Sequence, residues 1–371
     1  MDVHHTSTSA SLPLPVHTTD NTGAAMTVRT AELADADAVK RITENTWSDR
    51  SEDDYLGSVF PEWVAADDGK TAQTIIISVD SQSQLPSDND SLNPDLDSNH
   101  SDDATKPVGV VQVCTLSETE AWVQGLRIAP EYRGRGLATI LIETVCAVAR
   151  AMHAAVLRGI VFSWNSASLG LLRQTGFDPG IEFRWIQPDP YNASIETVST
   201  SNNNIPLSIQ TGEDTSTEDV WSFWQKSQIR DALDGIIIDN AESWALSTLR
   251  RHRIQHAATT GRLITVRSNS STDAVRGFAI RTRTYEPMGE VSTPGVEYAI
   301  GAWEPGDEAA VQSLLTAVRR DATLFDSTID HTRVLVPEDT RWLSDAAVTG
   351  VGMWSEPIFL MSRRLLGEVT G

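Results

Sequence analysis

The chain has 371 residues, of which 40% are hydrophobic, and it carries a formal net charge of −22. This length predicts two domains of ordinary size, each with enough apolar residues for a packed core. The negative charge argues against nucleic acid as a partner, because phosphate binding requires a basic surface. No apolar run reaches the roughly 18 residues of a membrane helix, so we expect no membrane association.

Acidic residues outnumber cationic residues by 51 to 29, and only four cations are lysine, namely Lys40, Lys70, Lys106 and Lys226. This composition resembles that of proteins from salt-loving microbes, in which solvated acids cover the whole surface. The alternative is that the acids attract a cationic substrate, but their spread along the chain favours the halophilic interpretation. Cys114 and Cys146 lie in apolar stretches and are expected to be buried thiols of a cytoplasmic protein.

Residues 1–25 lack the basic start and apolar block of a signal peptide and are predicted to be a disordered tail, with Met26 as a candidate translation start. A strand from Met26 and a helical stretch come next, followed by a strand over 73–80. Residues 81–106 are polar and acidic, and they are predicted to be a disordered insertion, because they have too little apolar content to offset the entropy of ordering. The remaining predicted elements of this half are two hairpin-spaced strands at 107–116 and 120–130, a helix from 137, a strand over 154–163, a helix over 166–175 and a strand over 177–188.

The second half partly repeats this order after a polar linker over 189–206. Its pattern predicts a strand at 207–212, helices at 217–233 and 241–254, three strands between 261 and 303, a helix at 306–322, a strand at 332–337, a helix at 339–350 and a last strand at 356–365. The matching order suggests an internal duplication.

A turn of two arginines and two glycines stands where the strand ending at Ile128 gives way to the helix. A helix start presents unpaired backbone N–H groups and the positive end of the dipole, and glycines let the backbone close on an anion. The stretch from Arg133 to Thr139 is therefore predicted to cradle a phosphate. A P-loop is excluded because no Lys-Ser/Thr pair follows the glycines, and a dinucleotide fingerprint is weak because Thr139 replaces its third glycine.

The segment "RGRGLA", residues 133–138, combines with "NSASLGLLRQTGF", residues 165–177, to resemble the GNAT superfamily of acyl-CoA-dependent N-acyltransferases. The resemblance spans residues 26–188. It implies an α+β fold with a mainly antiparallel, twisted sheet flanked by helices. The sheet would splay between the strand that ends at Ile128 and the strand over 155–163. Residues 207–371 would be a second, degenerate GNAT-like domain, and the tandem arrangement is faintly similar to the histidine N-acetyltransferase group.

The resemblance also implies a site for acetyl-CoA as co-substrate, with no metal. Backbone groups of Leu126 and Ile128 would pair with the pantetheine arm, and Asn165 would contact its side. The pyrophosphate would lie on the loop formed by Arg133, Gly134, Arg135, Gly136, Leu137, Ala138 and Thr139.

The catalytic groups depart from the family pattern, because many relatives carry a tyrosine where this chain has Leu172 and a carboxylate where it has Gln124. Glu118 and Glu120 are the nearest carboxylates, and Glu120 shares a strand face with Gln124. We therefore name Glu120 and Gln124 as candidate catalytic residues, while a solvated strand end and proton relay by water stay open.

Two hypotheses follow from these residues. The first is direct acetyl transfer to the amine of a small molecule, an amino acid or a peptide. The second is a non-catalytic, regulatory acyl-CoA-binding protein, for which the missing tyrosine and Gln124 would be natural. In the second half, Gly306, Asp307 and Glu308 replace the cradle, and their acidic pair would repel a pyrophosphate.

Overall fold

The computed structural model describes residues 14–44, 46, 54–80, 105–190, 207–212, 215–269, 273–285, 294–326 and 328–365. The predicted insertion lies outside the described residues up to 104, and the predicted linker lies outside them from 191 to 206. The chain divides into two compact units, which are interleaved in sequence. The first unit comprises residues 1–158, 171–177 and 363–371, and the second comprises 159–170 and 178–362.

The elements of the first half begin with a β-hairpin and end with a long strand. The strands are β1 (Val16–Thr19), β2 (Ala25–Thr30), β3 (Ala72–Val79), β4 (Lys106–Thr115), β5 (Glu120–Ile128), β6 (Val156–Phe162) and β7 (Asp178–Gln187). The helices are α1 (Ala36–Thr43), α2 (Leu56–Ala66), α3 (Leu137–Ala151) and α4 (Ser166–Gln174).

The first unit is built on an antiparallel sheet in the order β1-β2-β3-β4-β5, to which β6 adds a parallel pairing with β5. Helices α1 and α2 cover one face of this sheet through an apolar cluster that includes Val39, Phe60, Ile76 and Val110. A parallel neighbour needs a crossover, and α3 supplies it between β5 and β6. This crossover places the start of α3 directly after the end of β5.

The elements of the second half follow the same plan. The strands are β8 (Leu207–Thr211), β9 (Ile236–Ile238), β10 (Leu246–Thr248), β11 (Leu263–Ser268), β12 (Val275–Tyr285), β13 (Gly295–Trp303), β14 (His331–Pro337), β15 (Gly352–Met353) and β16 (Ile358–Arg364). The helices are α5 (Thr217–Lys226), α6 (Gln228–Ala232), α7 (Arg251–Thr259), α8 (Glu308–Phe325) and α9 (Thr340–Val348).

The second unit repeats the first unit's topology. Strands β8, β11, β12 and β13 pair antiparallel in that order, and β14 adds a parallel pairing with β13 after the crossover helix α8. Strand β7 pairs antiparallel with β14, β15 and β16, so its ladders lie with the second unit. Both sheets are mainly antiparallel and flanked by helices, which confirms the predicted α+β class.

Three differences from the sequence analysis have local causes. The predicted tail over 1–25 is partly ordered, because Val16–Thr19 pairs with β2. The predicted helix over 241–254 is wrong in its first part, because Leu246–Thr248 instead forms β10 against the apolar run Ile236–Ile238. The predicted domain ends at 188 and 371 do not coincide with the compact units, because β7 groups with the second unit and residues from Arg363 group with the first.

Candidate functional site

The turn between β5 and α3 has the backbone that its glycines permit. Gly134 and Gly136 have φ angles of +76° and +83°, in the left-handed region that favours glycine. Gly136 is the N-cap of α3 and supplies no capping side chain. The first helical hydrogen bond runs from the Ile140 N–H to the Gly136 carbonyl, at 3.2 Å. The N–H groups of residues 137–139 therefore come before the first hydrogen bond of the helix. They point out of the helix start, where an anion can accept hydrogen bonds from them.

The two arginines of the turn are bound to their own loop. Arg133 Nε donates to the carbonyl of Ile128, at 3.1 Å. Arg135 Nη2 donates to the carbonyl of Glu131, at 3.2 Å, and the guanidinium lies over the ring of Tyr132. Both cations thus add positive charge beside the helix start while stabilising the turn itself.

The turn that follows β1 lies against this loop. The Asn21 N–H donates to the Arg135 carbonyl, at 3.1 Å, and a Cβ added to Gly136 would lie 2.9 Å from the Asn21 side chain. The buried Asp20 carboxylate is 3.8 Å from Arg135 Nη1 and accepts hydrogen bonds from Thr22 and Ala24. Burial acts to raise the pKa of Asp20, but these hydrogen bonds and the charge of Arg135 outweigh it, so the pKa is lowered.

Strand β5 carries a β-bulge at Gly125. The register with β4 passes from Val110↔Arg127 to Gln112↔Gln124, so β5 has one extra residue over this interval. Gly125 has φ +66°, and a Cβ there would lie 2.6 Å from the ring of Trp63. The register with β6 ends at Trp122, whereas β5 continues to Ile128. The bulge therefore lies just past the point where the two strands stop pairing.

Gln124 ends a chain of hydrogen bonds that crosses three strands. Its Nε2 donates to Gln112 Oε1 at 2.7 Å, and Gln112 Nε2 donates to Thr74 Oγ1 at 3.2 Å. Thr74 donates to both oxygens of Asp67, through its N–H at 2.6 Å and through its hydroxyl at 3.2 Å. Burial raises the pKa of the Asp67 carboxyl, although these bonds act to lower it.

Glu120 is held in a buried ion pair at the start of β5. One carboxylate oxygen is 2.5 Å from Arg158 Nη1, and the other accepts from the Ser117 hydroxyl at 3.0 Å. Glu120 and Gln124 are about 13 Å apart along the strand, at about 3.3 Å per residue. The structure therefore keeps the two candidate catalytic residues separate, and Glu120 would have to leave a guanidinium before accepting a proton.

The remaining predicted residues have local roles in α4. Asn165 is grouped with the second unit and caps this helix, with its Oδ1 accepting from the Ser168 N–H at 3.1 Å. Leu172 is buried in the same helix. Gly176 follows the helix end with φ +79°, as its position predicts.

The corresponding turn of the second unit is already occupied by its own side chains. Asp307 is the N-cap of α8, accepts from the Ala310 N–H and forms an ion pair with Arg276, whose Nη2 lies at 2.5 Å. A carboxylate thus accepts one N–H group of this helix start, and an incoming pyrophosphate would meet negative charge there.

Sequence reasoning missed three parts of this site, namely the bulge with Trp63, the chain leading to Asp67, and the turn at Asp20 and Asn21. Only the bulge had a signal, because a glycine inside a strand pattern often marks one. The other two depend on contacts between residues far apart in sequence.

Among the described residues, no helix is both long and apolar enough to cross a bilayer. The residues that the structure describes contain no group of three or more His, Cys, Asp or Glu side chains that could hold a metal.

Comparisons with known proteins agree with this geometry. A search of curated proteins by sequence finds no match. A GCN5-related N-acetyltransferase from Sphaerobacter thermophilus superposes with a TM-score of 0.55 at 13% identity, over 93% of this chain and 97% of that one. A tandem GNAT protein from the clavulanic acid biosynthesis pathway superposes with a TM-score of 0.50 at 10% identity, over 92% of this chain and 99% of that one.

A third structure is a GCN5-related glucosamine N-acetyltransferase region of a fungal multi-domain GH3 β-N-acetylglucosaminidase. It matches with a TM-score of 0.54 at 12% identity, over 91% of this chain but 38% of that one. At such identities these likenesses show the fold alone. The family model described as "Acetyltransferase (GNAT) family" matches residues 80–177, which include β5, the glycine turn and α3. The chain therefore carries a domain of the acetyltransferase (GNAT) family, and acyl transfer is the general activity that this family supports.

Proposed function

We propose that the protein is an acetyl-CoA-dependent N-acetyltransferase that transfers the acetyl group directly to an amine. The observation that carries this proposal is the helix start of α3, where a glycine N-cap leaves the N–H groups of residues 137–139 outside the helical ladder. A diphosphate fits such a group of donors, because it can accept all of them and is favoured by the helix dipole.

The rest of the co-substrate would lie along β5. Backbone groups of Leu126 and Ile128 would bond the pantetheine amides, as one strand bonds another. The end of the β6 register at Trp122 supports this placement, since Leu126 and Ile128 lie past the residues of β5 that pair in that register. Asn165 is proposed to contact the pantetheine arm in addition to capping α4.

In the proposed reaction the amine nitrogen attacks the thioester carbonyl carbon, the C–S bond breaks, and the nitrogen gives up a proton. The bulge at Gly125 interrupts the regular ladder of backbone hydrogen bonds. A backbone N–H at this bulge is therefore proposed to stabilise the oxyanion. Gln124 is proposed to hold the amine, and Glu120, about 13 Å away along β5, is the proposed base through a relay of water molecules. With Leu172 in place of a tyrosine, water would protonate the leaving thiolate.

The cradle is tested by Gly136→Glu, with Gly306→Glu in the second unit as the matched control. Both glycines have left-handed φ angles, so the backbone cost is similar in the two variants. We expect Gly136→Glu to abolish CoA binding, because the new side chain meets Asn21 and brings negative charge to the helix start. The control should bind one CoA per chain in isothermal titration calorimetry, like the unmodified protein. Equal affinity in both variants would refute the placement.

Turnover distinguishes the proposal from a non-catalytic acyl-CoA-binding protein. The assay combines acetyl-CoA with a panel of amines, amino acids and peptides at high salt, and follows release of free CoA thiol. We expect release above the blank with at least one amine. Binding of CoA without release across the panel would favour the non-catalytic alternative.

A further inference from the structure

A row of polar side chains crosses the first unit's sheet beneath α1 and α2. Thr74, Gln112 and Gln124 are direct neighbours on β3, β4 and β5. Thr74 is fully buried and Gln112 is 3% exposed. Val110, two residues before Gln112 and on the same strand face, belongs to the apolar cluster under these helices. Buried polar groups in such surroundings are costly unless each is hydrogen-bonded, and here each one is.

The second unit has apolar side chains in the row that lies at the same distance from a paired glycine. In each unit a glycine of the middle strand pairs with the last residue of the next strand, Gly109 with Ile128 and Gly277 with Trp303. Three residues after these glycines stand Gln112 and Ile280. The row through Ile280 consists of Leu263, Ile280 and Ile300, and all three are buried. At this distance from the paired glycine, the second unit thus has aliphatic side chains.

The hydrogen bonds of the polar row all run in one direction. A carboxylate only accepts, so Asp67 requires the Thr74 hydroxyl to donate to it. The hydroxyl oxygen then accepts from Gln112 Nε2, and Gln112 Oε1 accepts from Gln124 Nε2. This order fixes which end of each amide is nitrogen, a choice that an isolated glutamine leaves open. The consequence is that Gln124 turns its nitrogen toward Gln112 and its carbonyl oxygen away from it.

We propose, resting on the acetyltransferase function above, that Asp67, Thr74 and Gln112 are positioning residues that hold Gln124 with its carbonyl oxygen toward the acceptor amine. Gln124 immediately precedes the bulge residue Gly125 and lies two residues past the last pair with β6. At this point the side-chain carbonyl of Gln124 accepts a hydrogen bond from an N–H of the amine and so orients the nitrogen for attack. Because the amide is neutral, it aligns the amine without fixing it as ammonium.

The experiment breaks the chain at its middle with Thr74→Val, which removes the hydroxyl and nearly keeps the shape. We expect KM for the amine to rise about tenfold, the size of one lost hydrogen bond to the substrate, with KM for acetyl-CoA unchanged. Thr74→Ser keeps the hydroxyl and should restore the amine KM. If Thr74→Val does not fold, Gln112→Met carries the same test, because it removes the amide from the chain at similar size.

The matched control is Thr265→Val on β11 of the second unit. Thr265 is also fully buried, and its hydroxyl has no hydrogen-bond partner among the residues that the structure describes. This variant should leave both KM values unchanged. A folded Thr74→Val protein with an unchanged amine KM, or with equal rises in both KM values, overturns the positioning role and leaves the acetyltransferase standing. Absence of turnover by the unmodified protein contradicts both proposals.

Discussion

Trp63 occupies the space that a side chain at Gly125 would need, so this glycine is required for two reasons. Its φ of +66° is left-handed, and an added Cβ would lie 2.6 Å from the indole ring. We expect Gly125→Ala to lower the free energy of unfolding by about 1–3 kcal/mol more than Gly134→Ala, through overpacking against Trp63. Gly134 is the matched control, because it has φ +76° with open space around the added Cβ. Chemical denaturation measures both, and equal losses would show that the indole moves aside freely.

The Glu120–Arg158 pair allows a base to be distinguished from a structural carboxylate. If Glu120 is the base, the variant Glu120→Gln should have a kcat about 10²-fold lower than the unmodified protein, with an unchanged affinity for CoA. The double variant Glu120→Gln/Arg158→Met removes the unpaired cation, so it should recover the stability lost by the single change while its rate stays low. Recovery of rate together with stability would mean that Glu120 serves only to hold Arg158.

At this scale the sequence predicts what depends on neighbours in the chain. The turn glycines, the cap formed by Asn165 and the helix end at Gly176 are all local backbone requirements, and the structure has the left-handed glycines and the cap. The hydrogen-bond chain behind Gln124 was not predictable, because Thr74 and Asp67 are 50 and more residues earlier in the sequence and are linked to Gln124 only through Gln112 in the sheet.

The hairpin of β1 and β2 is the element whose stability should respond to acid. Its turn is closed by hydrogen bonds to the Asp20 carboxylate, whose pKa lies below the ordinary value of 3.8. Since the folded pKa is lowered, the stabilisation is present above the unfolded pKa and is lost as pH falls through the folded pKa. We expect Asp20→Asn to lower the free energy of unfolding near neutral pH.

Denaturation of the unmodified protein and of Asp20→Asn should be compared at about pH 6 and about pH 2. The difference between the two should shrink at the lower pH, because protonation of the Asp20 carboxyl makes it neutral like the amide. A difference that stays constant with pH would assign the effect to the shape of the turn, because an uncharged amide would then cost the same at every pH.

Elements with a clear period are predicted well, and short ones are not. The apolar stripe of α3 and the long, mostly apolar stretches of β4 and β5 predict those elements from sequence. Strands β1, β9 and β10 have three or four residues each, so their patterns are too short to establish a period. Tertiary pairing decides them, as the contact of β10 with β9 shows.

For the whole molecule, the order of elements predicts two similar topologies, and both parallel crossovers, at α3 and α8, are found. The membership of β7 could not be predicted, since the linker that follows it suggests a domain end. Strand β7 belongs to the second unit because it pairs with β14 and β16. Such pairing depends on which strands are neighbours in space and not on which are neighbours in sequence.

The grouping of β7 with the second unit has a consequence for how the gene can be divided. A fragment ending at residue 190 would carry β7 without β14 and β16, and a fragment starting at 207 would lack β7 between its own strands. We expect each fragment to be insoluble when expressed alone, and the two together to reassemble into an active complex that co-purifies. A fragment that is soluble when expressed alone and that unfolds cooperatively would contradict this expectation. On this expectation, loss of either half from the gene would leave the other half unable to fold.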